Sequence, residues 1–367
     1  MFEPLTLTCL HRYSGPGRNP VCNPREACAA ARRLSARWIP AFAGMTMAVM
    51  GAFLATPTSA QTPSTGSGQT YPSRPIRVVV PYTPGGITDV VTRIFAQEVS
   101  KAVNQNVLVD NRPGANSILG VDIVSKATPD GYTLASVIAA HAANQTLYPK
   151  LPYDSIKSFA PVSLLVTAPL IVTATNSLAA KDAKELVALA KAKPGTLAFA
   201  SSGIGAAAHL TTELLMLTMG IKMNHIPYRG TAPALQDLIG GQIQVMMDTP
   251  SSMLPHVRGG KIKVLGMASE KRIQAAPDIP TLTETGVPVV GGTWVGWLAP
   301  AGTPKATVDK LSAEIQTIGK RQDIRDRLIQ MGIDPVAGSP AQFDQFLRDE
   351  VAKWSKVIKQ AGVKVEG

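Results

Sequence analysis

The sequence predicts an α/β protein with parallel sheets in two lobes around a cleft. Three observations predict it. Strand-like and helix-like segments alternate from residue 75 onward. Two strand-to-helix turns, roughly 115 residues apart, carry glycine together with threonine or serine. The length of 367 residues fits two domains better than one.

The first lobe opens with Ile76–Val80, a valine-rich run ended by Pro81. The loop Tyr82-Thr83-Pro84-Gly85-Gly86 follows. Val91, Ile94, Phe95 and Val99 then recur at helical spacing, and residues 107–109 form the next apolar run. Strand, helix and strand within about thirty residues make a βαβ unit and hence a parallel pair. Asp130-Gly131 marks a turn before a strand over 132–138. The same grammar returns later. Leu186, Val187, Leu189 and Ala190 lie on a helix ended by Pro194-Gly195, and residues 197–200 form a strand. The loop Ser201-Ser202-Gly203-Ile204-Gly205 then leads into a helix bearing Leu210, Leu214, Leu215 and Leu217. Further strands are expected at 222–226, 243–247 and 262–267, with helices near 305–320, 324–331 and 341–360.

Ligands of open parallel sheets bind at the carboxyl ends of the strands. A helix N-terminus there presents free N–H groups and partial positive charge, which suits an anion. Two such ends, one from each lobe, would form a clamp.

Composition narrows the function classes. Hydrophobic residues make up 45% and charged residues 17%, which suits a packed globular chain. Of the +11 net charge, residues 1–60 carry six arginines against two glutamates, leaving +7 spread without runs over the rest. This mild balance favours anionic partners. Nucleic acid is not expected, because no basic tract interleaves with aromatics. Cys9, Cys22 and Cys28 all lie in the first thirty residues. Arg32, Arg33 and Arg37 precede an apolar stretch over 38–55, and Thr58-Ser59-Ala60 supplies small residues. That order reads as a cleavable secretory signal within a leader over 1–60. The competing reading is a membrane anchor, which Pro40, Gly44 and Gly51 interrupt. Residues 61–74 read as a flexible linker. The expected division is lobe 1 over 75–170 and 298–367, and lobe 2 over 171–297. With the leader removed no cysteine is left for a disulfide, a thiolate metal site or a nucleophile.

Several motifs then occur in order: Pro81-Tyr82-Thr83-Pro84-Gly85-Gly86-Ile87-Thr88-Asp89 with Arg93, Asn111-Arg112-Pro113-Gly114-Ala115, Pro129-Asp130-Gly131-Tyr132, Ser201-Ser202-Gly203-Ile204-Gly205 with His209, Ile226-Pro227-Tyr228-Arg229-Gly230 and Ala299-Pro300-Ala301-Gly302-Thr303-Pro304. The chain resembles the substrate-binding proteins of tripartite tricarboxylate transporters, the Bug or TctC type, over about residues 71–365. The resemblance implies a two-lobed periplasmic binding protein fold, type II-like, with the ligand cleft between the lobes. It implies that the two glycine-bearing loops hold a ligand carboxylate, partly through ordered water. It also implies delivery of a small organic acid or amino acid to a large and a small membrane transporter subunit. A monomer without a cofactor or metal is expected. One departure stands out: Asn116 and Ser117 occupy positions where the family usually has glycine.

The expected ligand-binding residues are Thr83, Gly85, Gly86, Asp89, His141, Ser201, Ser202, Gly205, Tyr228 and Asp248. Each also has a structural reading. Gly85 and Gly86 suit a tight turn. Thr88 can cap a helix. Asp89 can pair with Arg93 four residues on, or reach the cleft and favour a ligand bearing an ammonium or hydroxyl. Asp248 is a cleft residue or a cap. His141 follows a strand end where pockets form. His209 reads as structural, and Trp294 and Trp297 as core or hinge residues. Rival functions are a sensory module reporting to a membrane kinase and an enzyme acting on a small organic acid. Against the enzyme, the sequence shows no nucleophile elbow, metal-spaced histidines or complete dinucleotide loop.

Overall fold

The computed structural model describes residues 71–365. The leader and most of the expected linker lie outside the described residues. The linker's last residues are not loose. The Tyr71 hydroxyl donates to Gly131 O at 2.7 Å and its ring sits edge-on against Tyr132, while Arg74 pairs with Asp130 at 2.8 Å.

Lobe 1 contains β1 (Ile76–Val80), α1 (Ile87–Val103), β2 (Val107–Asn111), α2 (Ile118–Ser125), β3 (Thr133–Val137), α3 (Ala139–Leu147) and β4 (Phe159–Pro169). Lobe 2 follows with β5 (Ile171–Ala174), α4 (Ala183–Ala192), β6 (Ala198–Ser201), α5 (Ala207–Met219), β7 (Asn224–Pro227), α6 (Thr231–Ile239), β8 (Val245–Asp248), α7 (Pro250–Arg258) and β9 (Lys263–Met267). The chain then returns through β10 (Gly292–Pro300), α8 (Lys305–Lys320), α9 (Gln322–Gln330), β11 (Asp334–Pro335) and α10 (Pro340–Ala361).

The first sheet has the order β11-β4-β10-β3-β1-β2 and the second β7-β6-β8-β5-β9. Strand β1 is parallel to β2 and β3, while β10 runs antiparallel to β3 and β4. In the second sheet β6 is parallel to β7 and β8, and β5 is antiparallel to β8 and β9. Both faces of each sheet are covered by helices, which is why these strands read as continuous apolar runs. Ile76 and Val78 face α1 and α8 residues such as Phe95 and Ile315. Val79 faces the opposite way, toward Phe343 and Trp354 of α10. Phe199, Val245 and Met247 pack on the α4–α5 side, and Ala200 and Met246 on the α6–α7 side. The period of two along each strand sorts the two cores.

The sheets exchange chain at two adjoining crossings. Only Leu170 separates β4 from β5. Its N–H donates to Gly291 O at 3.3 Å, and its carbonyl accepts from Ala268 N at 2.7 Å. Gly292 is required there, since a Cβ would meet Ala168 O at 2.5 Å. Strand β10 belongs to the first sheet from Gly292, so the chain re-enters that sheet ahead of the expected return at 298. Trp294 and Trp297 consequently lie in the first lobe's core. The Trp294 and Trp354 indole N–H groups both donate to Glu350 Oε2, at 2.9 and 2.8 Å, fastening α10 to β10.

Candidate functional site

A cavity of about 620 Å³ lies between the lobes. Its walls are the loops that follow β1, β3, β6, β7 and β8, together with Asn116, Leu170, Thr293, Met331 and Ile333. All five of those strands end at the cavity, as expected for open parallel sheets.

Five helices therefore begin there: α1, α3, α5, α6 and α7. Their N-cap residues are Gly86, Ile138, Ala206, Gly230 and Thr249, and none makes a side-chain capping bond. The first-turn N–H groups of a helix have no intrahelical acceptor. A capping Ser or Asp would satisfy them locally, as Asp182 does for α4 and Ser339 for α10. The caps at the cavity leave that capacity to a ligand. Among the cavity-lining residues there is no Lys, Arg or His, and Asp248 supplies the only carboxyl. Positive potential in this site comes from oriented backbone dipoles.

Of the ten residues expected from sequence, Thr83, Gly85, Gly86, Ser202 and Asp248 line the cavity. The other five stand behind it. Asp89 is buried and turned away from the cleft. It accepts the Gly85 N–H at 3.0 Å, Asn111 Nδ2 at 2.9 Å and Arg93 Nε at 3.0 Å. Burial opposes its ionisation, but the bonds from Arg93, Gly85 and Asn111 hold its pKa below the ordinary carboxylate value. The cleft reading of Asp89 is thus corrected: it positions the loop. Because Asp89 takes the Gly85 N–H, the free N–H groups of this loop begin at Gly86.

His141 is also corrected. It sits on α3 just past the turn that meets the cavity, and the helix carries it into the core. Its Nε2 bonds Ser155 O at 2.9 Å and its ring stacks near Tyr153 at 5.8 Å. Burial pushes its pKa down to about 4.

Ser201 and Gly205 shape the second loop from within. Ser201 Oγ lies 2.7 Å from His225 Nε2 and donates to Gly203 O at 3.0 Å. Gly205 has φ of +80° and sends its N–H to His209 Nδ1 at 3.1 Å. The His209 ring stacks on His225 at 3.8 Å. His209, read as structural, supports the loop. Tyr228 sends its hydroxyl to Asp237 at 2.6 Å rather than to the cavity, and burial raises its pKa to about 12.

Asn116 joins the cavity wall. Ala115, Asn116 and Ser117 have φ of 46°, 50° and 75°, three consecutive left-handed residues without a glycine. That conformation costs roughly 1–2 kcal/mol per ordinary residue, less for Asn. A reciprocal pair offsets part of the cost: Asn116 Nδ2 donates to Asn144 Oδ1, and Asn144 Nδ2 to Asn116 O, both at 2.8 Å. Sequence reasoning missed Thr231, Thr249, Ser251, Ser252 and Thr293. The run over 243–247 followed by Asp-Thr-Pro is itself a strand-to-helix junction, so the rule that found the first two loops extends to Thr249, Ser251 and Ser252. Thr293 gives no such signal, because its place depends on the crossing.

Among the described residues no helix is long and apolar enough to cross a membrane, and no group of three or more His, Cys, Asp and Glu could hold a metal ion.

Comparison with known proteins agrees with this architecture. A sequence model of the tripartite tricarboxylate transporter family receptor, TctC, matches residues 91–363. Protein BugT of Bordetella pertussis is 35% identical over 323 residues, covering 87% of this chain and 98% of BugT. MatC from Rhodopseudomonas palustris, solved with bound malate, is 34% identical with a TM-score of 0.70, covering 78% of this chain and 100% of that one. An R. palustris protein solved with adipate is 31% identical with a TM-score of 0.74, covering 80% and 99%. The chain belongs to the tripartite tricarboxylate transporter receptor family, the Bug and TctC type, with the two-lobed fold of periplasmic binding proteins.

Proposed function

We propose that this protein is a periplasmic receptor that captures a small carboxylate-bearing solute between its lobes and passes it to the large and small membrane subunits of a tripartite tricarboxylate-type transporter. It catalyses no reaction. The observation that carries this reading is the convergence of five uncapped helix N-termini on a cavity without a basic side chain. An anion there is stabilised by N–H groups already oriented by the fold, so little reorganisation accompanies binding. The ligands of two structural relatives, malate and adipate, are both carboxylates. The loop after β1, with Gly86, Ile87 and Thr88, supplies the lobe 1 contact, and Ser202 with the start of α5 supplies the lobe 2 contact. The paired crossings at Leu170 and Gly291 act as the hinge on which the lobes close.

The test is native mass spectrometry of protein purified without denaturant, followed by a thermal-shift screen of organic acids, amides and sugars. A ligand at a hundredfold excess over its Kd stabilises the protein by roughly 2.7 kcal/mol. A selective rise in melting temperature with carboxylates is expected. Shifts with amides or sugars and with no acid would remove the carboxylate reading.

A further inference from the structure

The loop over 201–205 is fastened to the second lobe by two stacked histidines. His225 on β7 has its Nε2 2.7 Å from Ser201 Oγ, and His209 on α5 accepts the Gly205 N–H on Nδ1 at 3.1 Å. The two rings stack at 3.8 Å with 10° between their planes. Ser202 and Gly203, between the two fastenings, line the cavity. Because His209 Nδ1 accepts, the ring proton sits on Nε2, which faces Glu213 Oε1 at 3.4 Å. His209 is 3% exposed, so the fold holds this tautomer. A second proton can enter the ring only at Nδ1. There it sets two donors, Nδ1–H and the Gly205 N–H, against each other. Glu213 favours the resulting imidazolium from the other edge of the ring. Among the described residues His209 makes no other ion pair. The elements packed around it are otherwise apolar or uncharged: β6 presents Phe199 and Ser201, and β8 presents Val245 and Met247. α10 and β10 meet α5 through the apolar group of Leu210, Trp294, Phe343 and Leu347. Lys222 and Arg229, at the two ends of the β7 segment, are exposed. His225 is the other titratable neighbour, and burial together with His209 pushes its pKa down to about 3. A proton on His225 would still leave a donor on Ser201, so the acid-sensitive fastening is the one at Gly205.

Resting on the reading of this loop as half of a carboxylate clamp, we propose that His209 is a positioning residue that makes the receptor's grip sensitive to acid. Its neutral ring holds the second loop, and protonation at Nδ1 releases Gly205 and loosens the bound solute. Histidine is the side chain whose ordinary titration falls between pH 5 and 8. The apparent affinity scales with the fraction of protein in the competent, neutral form. For a group at the ordinary histidine value of about 6.5, that fraction falls about tenfold between pH 7.5 and 5.5.

The experiment has a ligand-free arm and a binding arm, both on the intact protein. In the first, the histidine ring nitrogens and the Gly205 amide are followed by NMR from pH 8 to 5. The His209 ring is expected to pass from the Nε2–H tautomer to imidazolium, and the Gly205 amide to shift with the same midpoint. Glu213→Gln removes the carboxylate that favours the imidazolium and should move both midpoints to lower pH. A ring that stays neutral to pH 5, or a Gly205 amide that ignores the ring's titration, overturns the proposal. In the second arm, titration calorimetry with malate and with adipate compares wild type with His209→Asn, whose Oδ1 replaces Nδ1 as an acceptor that does not titrate. Wild type is expected to lose about tenfold more affinity than the variant between pH 7.5 and 5.5, a comparison that cancels the acids' own protonation. Equal losses overturn the proposal. So does tighter binding by wild type at pH 5.5, which would mean that the imidazolium attracts the solute directly. Binding of no organic acid at pH 7.5 removes the carboxylate reading instead, while the ring and Gly205 resonances still decide the fastening.

Discussion

Gly86→Val separates the binding role of the first loop from its role in folding. Gly86 has φ of −76° and ψ of 170°, an extended conformation that valine adopts readily, and no heavy atom lies within 4 Å of where its Cβ would sit. The substitution meets open cavity rather than protein. Replacing glycine where the backbone is compatible stabilises by about 0.4–1 kcal/mol through the unfolded chain. Valine is a poorer N-cap than glycine, by an amount of similar size. These effects nearly cancel, so the unfolding midpoint should stay close to wild type. The branched side chain covers the approach to the first-turn N–H groups of α1. Loss of two charge-assisted hydrogen bonds, at about 1.5–3 kcal/mol each, removes roughly 3–6 kcal/mol. That corresponds to roughly a 140- to 20,000-fold rise in Kd. The assay is titration calorimetry with the acid found in the screen, paired with urea denaturation. A folded variant that binds within about threefold of wild type would refute the assignment of this loop to the site. Gly85→Val is the poorer choice, because Gly85 has φ of +92° and the variant would be strained whether or not it binds.

Two further outcomes follow from the residues behind the cavity. Asp89→Ala removes the acceptor of the Gly85 N–H and of Asn111 Nδ2. It should cost about 2–3 kcal/mol in denaturant unfolding and weaken ligand binding through a looser loop, and an unchanged midpoint would show that Asp89 does not hold the loop. His141 titrates near 4 when folded because it is buried, below its ordinary value of 6.5. Between those values the unfolded chain binds the proton and the folded chain does not, so this histidine lowers stability as pH falls through the window and contributes nothing above it. Wild type should therefore lose stability faster than His141→Gln between about pH 6.5 and 4, by up to about 1.4 kcal/mol per pH unit. Parallel stability curves would show that His141 is not buried in the neutral form.

Much of the fold could be read along the chain because it is periodic. Ile76–Val80 runs as an unbroken apolar strand because helices cover both of its faces, and the helices of the last sixty residues carry regular amphipathic spacing. The glycine-bearing loops after β1 and β6 were legible for a related reason. A strand that ends in Gly with Ser or Thr and then turns helical presents helix N–H groups, and this is a local property. One rule worked in reverse at the cavity. Helix starts are usually marked by Ser, Thr, Asp or Asn, yet Ile138, Ala206 and Gly230 begin helices there with no side-chain cap. Short helices such as α3 and α6 accordingly lack a side-chain cap to mark their starts in the sequence.

What the sequence by itself determined is the class of the fold, the family and the two glycine-bearing loops that border the cavity, since each depends on residues close together in the chain. Which polar residues line the cavity was decided only by tertiary structure. Asp89 and Asp248 look alike as acids beside strand-to-helix junctions. One is turned inward by Arg93, Asn111 and the Gly85 N–H, and the other stands on the cavity wall, accepting from Thr231 Oγ1 and the Thr249 N–H. His141 points into the core because a helix rotates each successive side chain by about 100°, so one position separates a cavity residue from a buried one. Thr293 reaches the site because β10 crosses beside Leu170, a juxtaposition between segments more than a hundred residues apart. Local chemistry fixes where helices begin, but the packing of one lobe against the other fixes which side chains the cavity contains.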